Sequence, residues 1–108
     1  KGLAGSAMGV VGLETAFSVM YTHFVKPGTI SLERLTELMS LNPARRFGIA
    51  QPLEEGNVAD LAVFDLRDAW TVNPDCFLSK GRATPFAGMQ LEAVCVMTMA
   101  GGEVAWKR

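Results

Sequence analysis

The sequence predicts an α+β chain in which helices come first and strands follow. Up to about residue 48, apolar residues recur every three or four positions, which is the period of a helix with one buried face. From Ile49 onward, apolar residues form short runs rich in Val, Met and Thr, as strands do. Gly101-Gly102 adds the signature of a two-residue hairpin turn. We therefore expect two units, residues 1–48 and 49–108.

A glycine turn leads into the first predicted helix, over residues 13–24. Gly9 and Gly12 flank two valines, and glycine permits backbone angles that a Cβ would block. Such loops also present backbone N–H groups to anions, but a plain turn before a core helix is the simpler interpretation. Glu14 suits the positive end of the helix dipole. The predicted buried face consists of Leu13, Ala16, Phe17, Met20 and Phe24.

Two further helices are expected before residue 49. Ser31 is a predicted N-cap for the second helix. Its buried face is predicted to contain Leu32, Leu35, Leu38 and Met39. Asn42 is the predicted cap of a short third helix with Pro43 at its first position, where the missing N–H costs no hydrogen bond. Gly48 is expected to end that helix.

The second half of the chain predicts strands at residues 61–64, 70–72, 91–99 and 103–106. The first of these is a continuous apolar run, which is typical of a strand buried on both faces. Asp60 and Asp65 flank it. Two nearby carboxylates suggest acid–base chemistry, but we favour a role in capping the adjoining turns. Asn73-Pro74-Asp75 is a further predicted turn, and residues 79–88 a loop.

Composition excludes several classes of protein. The chain has 108 residues, of which 49% are hydrophobic and 19% charged, as in a globular domain. A net charge of −1 without long charge runs excludes a nucleic-acid footprint or a polybasic membrane surface. No apolar run reaches the roughly 20 residues that span a bilayer, and the first residues lack the charged and apolar regions of a signal peptide. Because it opens on Lys1, we expect it to begin inside a longer gene product.

The residues that most often carry chemistry have structural interpretations here. His23 lies near the end of the first predicted helix, and a single histidine without nearby ligands cannot build a zinc site. Cys76 and Cys95 lie in apolar segments and lack metal-type spacing, so we expect reduced, packed cysteines in a cytosolic protein. Arg45 and Arg46 could bind an anion, but solvated surface arginines are the preferred interpretation.

Several segments resemble, in the same order, the C-terminal part of the bacterial dihydroorotases, which belong to the amidohydrolase superfamily. They are Gly12-Leu13-Glu14-Thr15-Ala16, Gly28-Thr29-Ile30-Ser31-Leu32, Asn42-Pro43-Ala44-Arg45, Ala59-Asp60-Leu61, Ser79-Lys80-Gly81 and Thr84-Pro85-Phe86. Two of these segments, Asn42-Pro43-Ala44-Arg45 and Ala59-Asp60-Leu61, are shared with hydantoinases and allantoinases. The segment that begins at Gly12 points to dihydroorotase.

The resemblance implies a parent protein of the α/β class, a (β/α)8 barrel flanked by a small β-sandwich. Residues 1–48 would be the last loop and helices of that barrel, and residues 49–108 the C-terminal part of the sandwich. The family interconverts carbamoyl-aspartate and dihydroorotate in pyrimidine biosynthesis. It uses one or two zinc ions, whose ligands and whose catalytic aspartate would lie outside this chain. We expect such a piece alone to be inactive and to oligomerise or aggregate through exposed apolar stripes.

The resemblance also implies a substrate-binding segment at Ala7, Met8 and Gly9. Ala7 stands where the family commonly has proline, so the backbone there lacks the fixed φ of that residue. No catalytic and no metal-binding residue is expected in the chain. The implied partners are the small-molecule substrate, the missing barrel, a second copy and aspartate transcarbamoylase. The alternatives are a non-catalytic assembly partner of that transcarbamoylase, and another cyclic amidohydrolase such as a hydantoinase or allantoinase.

Overall fold

The computed structural model describes residues 2–6, 8–49 and 53–108. Its elements are helices α1 (Ala16–Met20), α2 (Leu32–Thr36) and α3 (Asn42–Phe47) and strands β1 (Leu61–Thr71), β2 (Gln90–Ala100) and β3 (Glu103–Lys107). Two π-helical segments, Tyr21–Val25 and Glu37–Leu41, extend α1 and join α2 to α3. Short 3-10 helices cover Leu3–Gly5 and Pro74–Cys76. The predicted α+β class and the order of helices before strands are confirmed.

The predicted apolar face of the first helix is only partly buried. Phe17 stacks on a phenylalanine ring of β1, with 4.1 Å between the ring centroids. Leu13, however, is 93% exposed, and Phe24 is also exposed. Two polar residues, Thr15 and Ser18, are buried instead. The prediction was therefore wrong for Leu13, which lies in the turn before α1, and for Phe24, because polar residues such as Ser18 share the contact with the sheet.

The polar contact is a stripe of three residues four positions apart, Ser18, Thr22 and Lys26. Ser18 Oγ donates to the carbonyl oxygen of Ala93 at 2.6 Å. Thr22 Oγ1 accepts from the backbone N–H of Glu92 at 2.9 Å, and the Lys26 ammonium pairs with the Glu92 carboxylate. The α1 segment is thus fastened to β2 at three successive helical turns.

The second helical segment begins as predicted, but it does not stop where predicted. Ser31 Oγ accepts from the backbone N–H of Arg34 at 3.1 Å and caps α2. Asn42 has helical angles (φ −66°, ψ −47°) and lies inside a continuous helix, so its predicted capping role was wrong. Pro43 cannot donate a helical hydrogen bond, and its ring would clash with the carbonyl group one turn earlier. The π-helical segment just before it accommodates the missing hydrogen bond and the ring. Gly48 ends α3 with φ 66°, as expected.

The sheet is antiparallel, with β2 between β1 and β3. Gly101 and Gly102 both have positive φ (61° and 82°) and close the β2–β3 hairpin, which confirms the predicted turn. The predicted strands at 61–64 and 70–72 are largely one strand, β1, which ends at Thr71. Predicted burial on both faces was wrong, because Val63 of this three-stranded sheet is 38% exposed.

A bulge interrupts the β1–β2 ladder. Residues 66–68 lie between the pairs Asp65–Val94 and Ala69–Glu92, where β2 contributes only Ala93. Ala93 is fully buried and has φ 70°, in the left-handed region that disfavours side chains other than glycine. This unusual backbone aims the Ala93 carbonyl at Ser18 of α1. The bulge and the polar stripe therefore act together to attach the first helix to the sheet.

The buried core is small for a chain of this length. Its buried apolar residues, among those described, are Leu35, Val72, Phe77, Leu91 and Ala93. The Cα radius of gyration is 15.7 Å, whereas a compact domain of this size has about 13 Å. Large hydrophobic side chains are exposed on the loops, on both helical segments and on β3. Such proportions are typical of a unit that packs against further protein.

Candidate functional site

The predicted substrate-binding segment lies in the loop that precedes α1. Ala7 is outside the described residues. Met8 has a side chain that is 96% exposed. Gly9 has φ 72°, a backbone conformation that favours glycine. Residues 8 and 9 are exposed and lie outside any helix or strand, and we refer to them as the turn because of the positive φ at Gly9.

A second loop holds this turn in place. The backbone N–H of Val11 donates to the carbonyl oxygen of Ala83 at 2.8 Å. Gly81 lies so close that a Cβ built on it would be 2.5 Å from Val11 Cγ2. Val11 also packs against the buried cluster of Val72, Phe77 and Leu91. We refer to residues 8–14 and 78–83 together as the loop pair.

Glu14 forms the main polar connection within the loop pair. Its Oε1 accepts hydrogen bonds from the Ser79 backbone N–H and the Ser79 hydroxyl, both at 2.9 Å. Its Oε2 accepts from the Leu78 backbone N–H at 3.1 Å. Both carboxylate oxygens are therefore used to hold the beginning of the second loop. The sequence suggested only a helix-dipole role, since nothing local signals a partner 65 residues away.

The pKa of Glu14 reflects these contacts. Partial burial raises the pKa of this carboxyl, but the hydrogen bonds from Ser79 and Leu78 and the nearby Arg82 charge together lower it below its ordinary value of 4.5. Arg82 in turn donates to the carbonyl oxygens of Ser79 and Gly81, so it braces the same loop. Glu14 is thus an ionised structural acceptor at neutral pH and is poorly suited to act as a general acid there.

A groove of about 550 Å3 runs between the start of α1 and the face of the sheet. Its lining is mainly apolar and includes Leu13, Phe17, Phe64, Phe77 and Trp106. Two of its polar side chains, Glu14 and Ser18, already have partners within the chain. The groove therefore offers apolar surface and fits a packing element better than a polar small molecule.

The two candidate acids serve the backbone, as we favoured from the sequence. Asp60 Oδ1 accepts from the backbone N–H of Gly101 at 2.7 Å. Asp65 Oδ1 accepts from the backbone N–H of Arg67 at 2.9 Å. Each carboxylate is thus used in a turn or bulge. The predicted role at a strand end is confirmed for Asp60, but Asp65 lies inside β1 at the bulge, because the strand continues to Thr71.

The remaining candidates also lack a shared site. His23 Nε2 lies 3.3 Å from the sulfur of Met89. Cys76 and Cys95 are free thiols, but Cys76 is exposed, so its predicted packing was wrong because the 3-10 turn that carries it lies at the surface. Arg45 and Arg46 are exposed on α3, as expected of surface arginines.

Metal coordination does not fit the described part of the chain. No group of three His, Cys, Asp or Glu side chains is brought together within residues 2–6, 8–49 and 53–108. No helix in these ranges has the length and apolar character needed to cross a membrane. What the site contributes is a fixed backbone turn and apolar packing surface.

Comparison with known proteins decides the family. A sequence profile described as "Amidohydrolase family" matches residues 2–105, nearly the whole chain. The chain belongs to the amidohydrolase family. Members of this family generally use metal ions, although the described residues hold no group that would bind one.

Curated relatives within the family are dihydroorotases. The chain is 44% identical to the dihydroorotases of Bacillus caldolyticus and Geobacillus kaustophilus, and 42% identical to that of Bacillus cereus, over 109 aligned positions. All of this chain is covered in each case, but only 26% of the relative. The chain thus spans about a quarter of the length of the amidohydrolases that it matches.

A solved amidohydrolase has the same fold over this region. The structure of L-hydantoinase (dihydropyrimidinase) from Arthrobacter aurescens superposes with a TM-score of 0.85 and 38% sequence identity. The match covers 94% of this chain and 23% of the hydantoinase. The helices-then-strands architecture is therefore shared by amidohydrolases whose names indicate different substrates.

Proposed function

We propose that the full-length protein carrying this chain is a dihydroorotase, which interconverts N-carbamoyl-aspartate and dihydroorotate in pyrimidine biosynthesis. The observation that carries the proposal is the 42–44% identity to dihydroorotases over the whole chain. The segment Gly12-Leu13-Glu14-Thr15-Ala16, which pointed to these enzymes in the sequence, includes the residue that connects the loop pair. The enzyme would act in the cytoplasm on a small, anionic substrate.

The chain would supply a scaffold and one edge of the substrate pocket. We propose that residues 1–48 complete a (β/α)8 barrel and that residues 49–108 complete a flanking β-sandwich. The exposed apolar side chains of α3 and β3, such as Phe47 and Trp106, support this arrangement, since they would be covered by the rest of the protein. The groove beside α1 would be filled in the same way.

The segment Ala7, Met8 and Gly9 is the proposed contact with substrate. Met8 and Gly9 are exposed, and Gly9 has a positive φ of 72°. Backbone groups held by a rigid neighbour lose little conformational freedom when a ligand binds, which favours affinity. In this proposal the substrate meets main-chain atoms, so alanine at position 7 in place of the usual proline preserves the contact.

Zinc would be held by residues outside this chain. The described residues lack a ligand set, so we assign no step through the metal to any of them. A zinc ion bound elsewhere in the enzyme would lower the pKa of its water and so provide the nucleophile. The contribution of this chain is to bind and orient substrate and to exclude water from one side of the pocket.

The test is an assay of the purified full-length protein in both directions, with dihydroorotate and with carbamoyl-aspartate. We expect turnover that is lost after treatment with a chelator and restored by zinc. Hydantoin and dihydrouracil serve as matched cyclic amides that lack the carboxylate, and we expect them to react at least about 100-fold more slowly. Preference for either of these substrates would overturn the proposal.

Another cyclic amidohydrolase is the second candidate, favoured by the L-hydantoinase superposition. The same substrate panel, extended with allantoin, distinguishes it from a dihydroorotase. A third candidate is a non-catalytic assembly partner of aspartate transcarbamoylase. Absence of turnover with every substrate, together with co-elution with the transcarbamoylase in gel filtration, would support that role. The same gel filtration would determine whether the protein forms a homodimer.

A further inference from the structure

The loop pair is connected by a sequence of contacts that begins at Glu14. The carboxylate of Glu14 fixes the backbone at Leu78 and Ser79. Two residues further along, Gly81 abuts the side chain of Val11, and Ala83 accepts the hydrogen bond of the Val11 N–H. The turn at residues 8–9 precedes Val11 in the chain, with only Val10 between them. The position of this turn therefore depends on where the second loop is held.

The chemistry at Glu14 suits a holding role. Backbone N–H groups that donate to a carboxylate make stronger hydrogen bonds than those that donate to a neutral oxygen. Two carboxylate oxygens meet three donors from adjacent residues, so the geometry is fixed in both distance and direction. A glutamine at position 14 would place its amide N–H₂ donor against a backbone N–H donor, so one of these hydrogen bonds would be lost. An aspartate there would be one methylene too short to reach both Leu78 and Ser79.

We propose that Glu14 is a positioning residue for substrate binding: it fixes the 78–83 loop, which in turn fixes the turn at residues 8–9 against the substrate. This inference rests on the proposed function, since it assumes that the turn contacts a cyclic amide substrate. Glu14 itself does not touch the reacting atoms. Its effect is on the affinity for substrate and not on the chemical step.

Steady-state kinetics of the full-length, zinc-loaded enzyme test the proposal. Glu14→Ala is expected to raise KM for dihydroorotate about 10-fold while kcat changes less than about 3-fold, because a contact made equally in ground and transition states affects KM alone. Glu14→Gln, which retains one acceptor oxygen, should give an intermediate KM. Ser79→Ala removes only the hydroxyl donor, so its KM should stay within about 2-fold of wild type.

The matched control is Glu33→Gln, which changes an exposed carboxylate on α2. We expect its KM and kcat to equal those of the wild-type enzyme. A purely structural role for Glu14 would reduce the amount of active enzyme and hence apparent kcat, with KM unchanged. An unchanged KM in Glu14→Ala would therefore overturn the proposal.

A second pair of variants perturbs the same connection without touching Glu14. Gly81→Ala places a Cβ against Val11 Cγ2 and should displace the turn, raising KM. Val11→Ala removes that Cγ2, so Gly81→Ala should have little further effect in the Val11→Ala background. Additive effects of the two substitutions would contradict coupling between the loops.

Hydrogen exchange separates failure of this inference from failure of the proposed function. In the full-length protein, Glu14→Ala should speed exchange of the Val11 amide, whichever substrate the enzyme prefers. If the wild type does not turn over dihydroorotate, the proposed function fails, and the exchange result still decides whether Glu14 holds the loop pair. If the wild type is active and Glu14→Ala changes neither exchange nor KM, the positioning role fails alone.

Discussion

The two helical segments of the chain are attached in different ways. The α1 segment is fastened to the sheet by side chains that are hydrogen-bonded to residues about 70 positions away, as Ser18 and Thr22 are. The α2–α3 segment has local side-chain hydrogen bonds, such as that between Arg34 and Glu37, and one fully buried side chain, Leu35. It exposes apolar residues along the rest of its length. The first segment is thus fixed by contacts within this chain, whereas the second leaves apolar side chains exposed, and we propose that other parts of the protein cover them.

The largest effect is expected at the point where α1 meets the bulge. Ala93→Val puts a β-branched side chain at φ 70° in a fully buried site and should destabilise the full-length protein by about 4 kcal/mol. Urea unfolding monitored by circular dichroism measures this. Ala105→Val, on exposed β3, is the matched control and should be near neutral. Ala93→Gly should also stay within about 1 kcal/mol, because relief of strain offsets the lost methyl. Equal losses in the free energy of unfolding for Ala93→Val and Ala105→Val would show that the backbone conformation of the bulge is not important for stability.

The next effect concerns the second segment. Leu35→Ala removes its fully buried side chain and should cost about 2–4 kcal/mol. If the two segments are attached independently, hydrogen exchange should quicken in residues 32–47 and remain slow in β2. Leu38→Ala changes a side chain that is exposed in this chain but would be covered in the full-length protein under the proposed arrangement. A loss as large as that of Leu35→Ala would support this covering, whereas a loss near zero would contradict it.

A smaller effect is expected from the polar stripe. Ser18→Ala leaves the Ala93 carbonyl and the Trp70 indole N–H without a partner, since Ser18 accepts from the latter at 3.3 Å. We expect a loss of about 1–3 kcal/mol in the free energy of unfolding. Ser40→Ala, at an exposed serine of the second segment, should cost little. Thermal unfolding of the two variants measures the difference in stability between them. Similar losses for Ser18→Ala and Ser40→Ala would contradict a stabilising role for the polar stripe.

The smallest expected effect is a pH dependence from Glu14. Its folded pKa lies below the ordinary value of 4.5, because the hydrogen bonds and the Arg82 charge outweigh partial burial. The resulting stabilisation is fully present above about pH 4.5 and is lost as the pH falls through the lowered folded pKa. Glu14→Gln should therefore differ most from wild type at neutral pH and converge with it in acid. A constant difference across this range would rule out linkage through Glu14.

Local rules in the sequence predicted much of the fold. The Ser31 cap, the Gly48 stop and the Gly101-Gly102 hairpin depend only on neighbouring residues, and all three are present. The interior position of Asn42 was missed because a good capping residue next to a proline also fits a π-helical turn followed by a helix. Local preference does not decide between the two.

Long-range features could not be predicted in this way. The burial of Ser18 and the exposure of Leu13 depend on how α1 meets the sheet, and apolar periodicity placed Phe17 correctly but not these two residues. Nothing in the sequence around Ala93 indicates a positive φ. Of the candidate site, the segment Ala7, Met8 and Gly9 was predicted from family resemblance and stays a prediction, whereas the connection through Glu14 emerged only from three-dimensional contacts.

The polar stripe on α1 has a consequence for behaviour in the cold. Attraction between apolar surfaces weakens as temperature falls, while hydrogen bonds to backbone groups do not share that dependence. The contacts of Ser18 and Thr22 with β2 should therefore persist near freezing. The packing around Leu35 depends on apolar burial. Cooling should loosen the second helical segment first and leave the first helix seated on its strand.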